Sequence, residues 1–243
     1  MEFGVLYRIM GWKKRVKIYL AIGLGLLFLL SFIRLYRVSD ISMNYTLMDG
    51  DLVWVENLTI GVHVPSFFFY VDRHFWSREE GIHRGDILAF RHPLDRRLYL
   101  KRCVALPGDR VMERAKHFYL QIGGDGNRTR AFAERTRLPL VYLDGQWWLK
   151  DPYAGVYDVV HVASVTGPPE LIDYPATTIP PHRYFMMGDF RDNSTDSRFF
   201  GPVPYDYIYY RVFEVWQKSR GLKELASIRH FDPLEDPMRT EKY

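Results

Sequence analysis

A serine and a lysine in this sequence have neighbours that suit them to nucleophilic chemistry. Ser42 lies between the apolar residues Ile41 and Met43, and Lys101 interrupts the apolar run LYLKRCVAL. Such a lysine is either an edge-strand charge that limits aggregation or a buried amine whose pKa is lowered by desolvation. A neutral amine can take the proton of a serine hydroxyl without any histidine, so the two residues are candidates for a Ser–Lys pair.

A third segment, MGDFRDNSTDSRFFGPVP (Met187–Pro204), is dense in polar residues although apolar residues flank it on both sides. It is either a solvated surface turn or a cluster of hydrogen-bonding groups that supports a buried amine. The eight histidines show neither metal-ligand nor catalytic-triad spacing, so they offer no competing site.

The elements that must position these residues are short predicted strands, rich in β-branched and aromatic residues and separated by turn pairs such as Gly-Asp and Pro-Gly. They cover Asp51–Asn57, Asp86–Phe90, Leu98–Leu106, Asp109–Arg114, His117–Gly123, Leu140–Gly145, Gln146–Lys150 and Tyr157–Ser164. No amphipathic helix is predicted between them, and Gly167–Pro181 is predicted to be a Pro-rich link. This pattern favours an antiparallel, partly closed β-sheet.

The N-terminal residues have the pattern of a membrane anchor. The basic run KKRVK precedes sixteen uncharged residues, Ile18–Ile33, which span ~24 Å as a helix. A buried core helix or a cleavable signal peptide would be alternatives, but basic residues bracket the run and no small-residue cleavage site follows it. We therefore predict an uncleaved anchor with the N-terminus in the cytoplasm and the remaining chain outside.

Composition narrows the class of protein. The chain has 243 residues, of which 47% are hydrophobic and 26% are charged, as in ordinary folded proteins. A net charge of +4 without a long basic block excludes a nucleic-acid surface. Cys103 is the only cysteine, so neither an internal disulfide nor a cysteine zinc cluster can form.

Three segments together resemble the bacterial type I signal peptidases. SMNYTLMDGD (Ser42–Asp51) is similar to their nucleophile motif, YLKRCVALPGD (Tyr99–Asp109) to their general-base motif, and YFMMGDFRDNSTDSRFFG (Tyr184–Gly201) to their C-terminal box. The three occur in the family's order behind the N-terminal segment. The resemblance implies a membrane-anchored serine endopeptidase that removes signal peptides and needs no metal or cofactor.

The resemblance also implies a role for each matching residue. It makes Ser42 the nucleophile and Lys101 the general base, with Ser194 orienting the lysine through a hydrogen bond. Asp196 and Arg198 would form a bracing ion pair. The surrounding network would contain Asp189, Arg191, Asp192 and Ser197.

Several positions depart from the family pattern. Tyr45 stands where the family usually has proline, Phe190 replaces an asparagine, and His182 and Ala105 replace glycines. Asp40 lies two residues before the nucleophile, where many relatives carry Ser or Gly that contributes to the oxyanion hole. A carboxylate there would repel a developing oxyanion, so we expect Asp40 to point away. The hole would then depend on the backbone N–H of the nucleophile.

The implied fold is mainly β: a transmembrane helix followed by an antiparallel, partly closed β-sheet catalytic domain with a variable β insertion. The expected division is a cytoplasmic tail (1–17), the anchor (18–35), the catalytic domain (36–112 and 179–217), the insertion (113–178) and a charged C-terminal tail (218–243). The aromatic residues between Val64 and Trp76 are expected to pack either in the core or at the bilayer interface.

The implied substrates are exported preproteins with small residues at positions −1 and −3, bound as an added strand. The lipid bilayer and the secretion machinery are the other expected partners, and the enzyme is placed in the inner (plasma) membrane. The residues expected to form the substrate pockets are Ile41, Met43, Leu88, Phe90 and Tyr99. A dedicated pilin-maturing or conjugation-system peptidase of the same family and a non-catalytic membrane-anchored binding module are the alternatives.

Overall fold

The computed structural model describes residues 11–30, 32–44, 46–64, 73–154, 168–216 and 229–230. The chain divides into two compact units, Met1–Arg34 and Leu35–Tyr243. The predictions for Tyr45, for the aromatic residues at 65–72, for the strand at 157–164 and for most of the tail at 218–243 lie outside the described residues.

The first unit contains one described helix, α1 (Trp12–Leu30). The chain then forms a strand, β1 (Ile33–Arg37), so the predicted anchor over residues 18–35 extends beyond the end of the helix. The helix also begins among basic residues, with Lys14, Arg15 and Lys17 in its first turns. Within the residues that the structure describes, no helix is long and apolar enough to cross a membrane.

The second unit is mainly β and antiparallel, as predicted. Its larger sheet has the strand order β1-β2-β14-β5-β6-β12-β13, and β15 pairs with β14. Their bounds are β2 (Leu52–Glu56), β5 (Ile87–Arg91), β6 (Leu98–Ala105), β12 (Arg183–Met187), β13 (Val203–Pro204), β14 (Ile208–Trp216) and β15 (Arg229–His230). A separate hairpin joins β3 (Gly61–Val64) to β4 (Arg73–Ser77).

A smaller sheet forms most of the predicted insertion. Its strand order is β11-β7-β8-β10-β9, and its described pairs are antiparallel. Its strands are β7 (Arg110–Arg114), β8 (His117–Gln121), β9 (Leu140–Leu143), β10 (Gln146–Lys150) and β11 (Tyr174–Thr178). The helix α2 (Gly126–Thr136) packs on β10, and a short helix α3 (Ser197–Phe200) follows the polar run.

Alternation along β5 explains why the larger sheet has apolar clusters on both of its faces. Ile87 and Ala89 pack in one cluster with residues of β2 and β14, whereas Leu88 and Phe90 pack in another with β6 and β12. Successive side chains of a strand point to opposite faces, so a continuous apolar strand is buried on both sides. Apolar packing on both faces therefore fixes the position of β5, the neighbour of the strand β6 that carries Lys101.

Two elements of the structure differ from the sequence-based prediction. The helix α2 was not predicted because its sequence, GNRTRAFAERT, has little apolar surface beyond Phe132. It forms because the Asp125 carboxylate accepts hydrogen bonds from two N–H groups of the first turn, and because Phe132 is buried against the smaller sheet. The predicted link Gly167–Pro181 contains the edge strand β11, where its prolines are tolerated.

Candidate active site

Ser42 lies in a tight turn that two buried apolar side chains, Met43 and Leu47, anchor on its C-terminal side. Met43 and Leu47 pack in the core cluster of β2 and β14, and the N–H of Leu47 donates to the carbonyl of Met43. The carbonyl of Ser42 accepts a hydrogen bond from the N–H of Phe190 at 3.0 Å. These contacts fix the serine backbone against the polar run that follows β12.

Lys101 lies in the middle of β6, where its neighbours bury it. It pairs with Leu88 of β5, and the next residue, Arg102, pairs with Met187 at the end of β12. The polar run leaves β12 directly after Met187, so the register brings it beside the lysine. Only 1% of the Lys101 side chain is exposed.

The serine and the lysine meet in the structure. Lys101 Nζ lies 2.5 Å from Ser42 Oγ and also donates to the carbonyl of Leu100 at 3.2 Å. Burial lowers the pKa of the lysine, and the negative charges of Asp40 and Asp196 only partly offset this effect. A lysine with a lowered pKa can lose its proton and then accept the hydroxyl proton of the serine.

Asp40 faces this pair, so the prediction that it points away was wrong. Its Oδ2 accepts a hydrogen bond from Ser42 Oγ at 2.8 Å and lies 3.7 Å from Lys101 Nζ. Its Oδ1 accepts from the N–H of Ile41 at 2.7 Å and lies 3.4 Å from the N–H of Ser42. The physical reason is attraction, because the carboxylate accepts from the N–H of Ile41 and the hydroxyl of Ser42 and lies near the Lys101 amine.

Gly188 of the polar run lies close to the backbone of Ser42. A Cβ at this position would collide with Ser194 Oγ and with the carbonyl oxygen of Ser42. Ser194 Oγ is buried beside Gly188 and interacts with the Asp196 carboxylate, whereas Lys101 Nζ donates to Ser42 and Leu100, so the predicted bond between Ser194 and Lys101 is not formed. The side chain packs against the glycine backbone, which leaves the lysine to bind Ser42 and Leu100.

Asp196 and Arg198 form the predicted ion pair, and it is buried. Two guanidinium nitrogens of Arg198 donate to the two oxygens of Asp196, each at 2.9 Å, and the N–H of Gly188 donates to Oδ2 at 3.0 Å. Burial acts to raise the pKa of Asp196, but Arg198 outweighs this effect and holds the pKa below its ordinary value. The pair therefore braces the glycine that touches the serine.

Glu113 of β7 completes this ion cluster from the smaller sheet. Its carboxylate oxygens lie 3.3 and 3.4 Å from Arg198 Nη1. Burial raises the pKa of Glu113 to about 7 although Arg198 and Arg191 act to lower it. The second guanidinium, Arg191, is 2% exposed and lies over the ring of Phe118.

A second buried ion pair, between Arg102 and Asp189, binds the beginning of the polar run to β6. Arg102 donates to both oxygens of Asp189, at 2.8 and 2.6 Å, and the hydroxyl of Thr46 donates to the same carboxylate at 2.6 Å. This pair ties β6 to the turn that carries the serine. Of the remaining residues in the predicted network, Asp192 pairs with Lys116 at 2.7 Å, and Ser197 Oγ accepts from the N–H of Met186.

A cleft of about 580 Å³ opens beside the serine. Of the residues predicted to form pockets, Met43 and Tyr99 line it, whereas Ile41 is an exposed residue of the turn that does not. Leu88 and Phe90 lie in the core instead, and Ala89 between them lines the cleft, because alternate residues of β5 face opposite sides. The remaining lining residues include Tyr36, Arg37, Val38, Arg97 and Leu100.

A buried lysine against a serine hydroxyl, beside a cleft, is an arrangement for acyl transfer. The family model described as signal peptidase, peptidase S26, matches residues 11–217. The chain belongs to the S26 signal peptidase family. The match covers the three segments around the serine, the lysine and the polar run.

Individual relatives agree with this assignment. The signal peptidase I of Buchnera aphidicola subsp. Acyrthosiphon pisum is 27% identical over 220 residues, which cover 74% of this chain and 67% of the relative. The signal peptidase I of Pseudomonas fluorescens is 30% identical over 198 residues, which cover 74% of this chain and 63% of the relative. The chain therefore spans about two thirds of the length of these relatives.

One solved structure is similar to part of this chain. The signal peptidase I of Enterococcus faecalis V583 aligns at 24% identity and a TM-score of 0.34, covering 52% of this chain and 92% of the other.

Four residues of the site had no assigned role in the sequence-based prediction: Thr46, Arg102, Glu113 and Gly188. Arg102 gave a usable signal, since an arginine next to a lysine in an apolar strand also needs a buried partner. Glu113 gave none, because it sits at the start of the predicted insertion and only the packing of β7 against the polar run brings it to Arg198.

Proposed function

We propose that this protein is a signal peptidase that cleaves preproteins with Ser42 as nucleophile and Lys101 as general base. The observation that carries the proposal is the 2.5 Å contact between Lys101 Nζ and Ser42 Oγ, both of which belong to buried residues. The family assignment supports the substrate class, since its described relatives are signal peptidases.

Acylation is the first half of the proposed reaction. The neutral amine of Lys101 takes the hydroxyl proton of Ser42 while the serine oxygen bonds to the carbonyl carbon at the cleavage site. The tetrahedral intermediate then collapses, and the lysine ammonium passes its proton to the leaving amine of the mature protein. The serine is left as an ester of the signal peptide.

Deacylation uses the same two groups, with Lys101 again as the base and Ser42 now as the leaving group. The amine of Lys101, neutral again, takes a proton from a water molecule that attacks the ester. The ester bond to Ser42 breaks, the serine oxygen recovers a proton from the ammonium, and the signal peptide leaves with a free carboxylate. A single base can serve both halves because each half returns it to the neutral state.

The cleft supports an extended substrate with small side chains. Among the described pairings, β12 joins β6 only from Arg102 to Ala105, so the edge of β6 from Leu98 to Lys101 is open for an added strand. The apolar walls near the serine, including Val38 and Ala89, suit Ala-like side chains at positions −1 and −3.

The proposal includes attachment to the inner membrane with the N-terminus in the cytoplasm. The uncharged run Ile18–Ile33 and the basic residues before it support this placement. Fractionation tests the attachment: the full chain should remain with membranes after alkaline carbonate extraction, and the second unit should be digested by protease added from the extracytoplasmic side. Release by carbonate would contradict it.

The test of the chemistry uses two variants of the full chain and a preprotein with alanine at −1 and −3. Ser42→Ala and Lys101→Arg should each lose cleavage by more than 1000-fold, the order expected when a nucleophile or base is removed. Arginine keeps the positive charge but cannot give up its proton, so it cannot act as base.

Two matched variants control for the substitutions themselves. Ser77→Ala changes an exposed serine of β4, and Lys150→Arg makes the same exchange in the smaller sheet. Both should cleave like the wild type. Cleavage by Lys101→Arg at the rate of Lys150→Arg would refute the mechanism, and a preference for one dedicated substrate over the generic preprotein would assign the chain to a maturation peptidase.

A further inference from the structure

The carboxylate of Asp40 occupies a place for which the proposed reaction has no assigned group. It touches the reacting oxygen, with Ser42 Oγ 2.8 Å from Oδ2, and it lies 3.7 Å from Lys101 Nζ. Its other oxygen faces the N–H of Ser42, the backbone donor that an oxyanion would need, at 3.4 Å. The Asp40 side chain therefore lies next to the nucleophilic oxygen, the lysine amine and the backbone N–H of Ser42.

The two short contacts of Ser42 Oγ restrict where the protons are. A hydroxyl has one proton, so it can donate either to the lysine or to the carboxylate but not to both. With Asp40 ionised, the serine hydroxyl donates to Asp40 and Lys101 Nζ donates to Ser42 Oγ, and a charged ammonium makes the stronger of the two possible lysine donors. In this arrangement the lysine holds its proton and the serine is not activated.

The surrounding charges favour the same arrangement. Partial burial acts to raise the pKa of Asp40, but the hydrogen bond from Ser42 and the charge of Lys101 outweigh it and hold the pKa below its ordinary value. The other charged side chains that line the cleft are Arg37 and Arg97, and its uncharged polar side chains are Tyr36, Ser39, Tyr99, Asn193 and Thr195. The negative charges of Asp196 and Asp189 in the polar run also act to raise the pKa of Lys101.

Asp40 can leave this position, whereas its partners cannot. Its side chain is 63% exposed at the edge of the cleft, and the lysine side chain is 1% exposed. A substrate carbonyl that approaches Ser42 must take the N–H that Asp40 Oδ1 now faces. The carboxylate and the oxyanion cannot share this donor, since like charges at hydrogen-bond distance repel each other.

We propose that Asp40 holds the Ser–Lys pair in a protonated resting state and is displaced by the substrate carbonyl. Displacement removes the carboxylate from the ammonium, Lys101 then releases one proton to solvent, and the neutral amine is free to take the Ser42 proton. The substrate thus activates the pair that cleaves it. This inference rests on the proposed function.

The kinetic test compares pH profiles of the wild type with Asp40→Ala and Asp40→Asn in the full chain. The profile of kcat/KM reports the free enzyme, and that of kcat reports the substrate complex. In both variants the acidic limb of kcat/KM should move to lower pH, so that kcat/KM on that limb rises on the order of tenfold, as expected for a charge lost at this distance in a partly solvated site. The acidic limb of kcat should not move.

A matched variant, Asp49→Ala, removes the same charge from an exposed turn residue nearby and should leave both limbs in place. If the acidic limb of kcat/KM lies at the same pH in the wild type and the Asp40 variants, and the variants differ only by a lower Tm, then Asp40 only stabilises the turn and the proposal is overturned. A loss of kcat greater than 100-fold in Asp40→Ala would also overturn it, since the carboxylate would then act in the bound complex.

A second measurement separates this inference from the proposed function. An NMR titration of ¹³C-labelled lysine follows the Lys101 ammonium in the substrate-free protein, with Lys101→Arg identifying its signal. Its midpoint should be lower in Asp40→Asn than in the wild type even if no preprotein is cleaved. An unchanged midpoint would refute the role of Asp40, whereas a lowered midpoint without cleavage by the wild type would refute only the proposed function.

Discussion

Replacing Asp196 with asparagine tests whether the ion pair behind the serine is a structural brace. Asp196 has no exposed surface, and its two oxygens accept from the N–H groups of Gly188 and Arg198 and from two guanidinium nitrogens of Arg198. Asparagine has the same shape but only one acceptor oxygen. Its NH₂ group would face one of these donors, and the charge of Arg198 would lose its closest partner.

The expected cost follows from this geometry. Removing one member of a buried ion pair costs about 3–5 kcal/mol, because the other charge stays buried. Glu113 at 3.3 Å continues to compensate Arg198, which favours the lower end of this range. At about 3 kcal/mol, the Tm of a domain this size falls by ~6–12 °C. The rate of cleavage should fall as well, since Gly188 loses its hydrogen-bond acceptor.

The assay is thermal unfolding of the full-length variants under one set of solution conditions, followed by circular dichroism. Asp144→Asn is the matched control, because Asp144 forms a 2.7 Å pair with Arg114 in which both side chains are about half exposed or more. Exposed pairs contribute about 0–1 kcal/mol, so this control should unfold close to the wild type. If Asp196→Asn unfolds at the temperature of Asp144→Asn, the reasoning about the brace is refuted.

Two further substitutions test the contacts on either side of this brace. Gly188→Ala should lower kcat/KM about 100-fold, because its Cβ would displace the Ser42 carbonyl, while the free energy of unfolding falls by only ~1–3 kcal/mol. Steady-state kinetics and unfolding curves measure the two effects, and an unchanged kcat/KM would contradict the reasoning. The pKa of Glu113 is raised from 4.5 to about 7, so its contribution to stability is complete below pH ~4.5 and is lost as the pH rises through about 7. The stability of the wild type relative to Glu113→Gln should therefore decrease between pH 5 and 8, and a constant difference in unfolding free energy would contradict the raised pKa.

The sequence by itself determined the β class of the catalytic unit and the three segments of the site. Strand formation depends on alternation and turn residues that lie within a few positions of each other, so β2, β5, β6 and β7 could be predicted close to their observed bounds. The burial of Lys101 could also be anticipated, because a lysine in an apolar strand has few other environments. The structure places all three segments together.

The tertiary structure alone decided how the polar groups share their partners. The direction of Asp40 depends on which donors surround it, and the lysine that attracts it comes from a strand fifty-nine positions beyond the serine. Glu113 reaches Arg198 only because β7 packs beside the polar run, a contact between residues 85 positions apart. Whether Ala89 or its neighbours line the cleft depends on which face of β5 the turn of Ser42 covers. Such long-range contacts leave no local pattern, since they arise from packing of the two sheets and from competition among charges for a few buried donors.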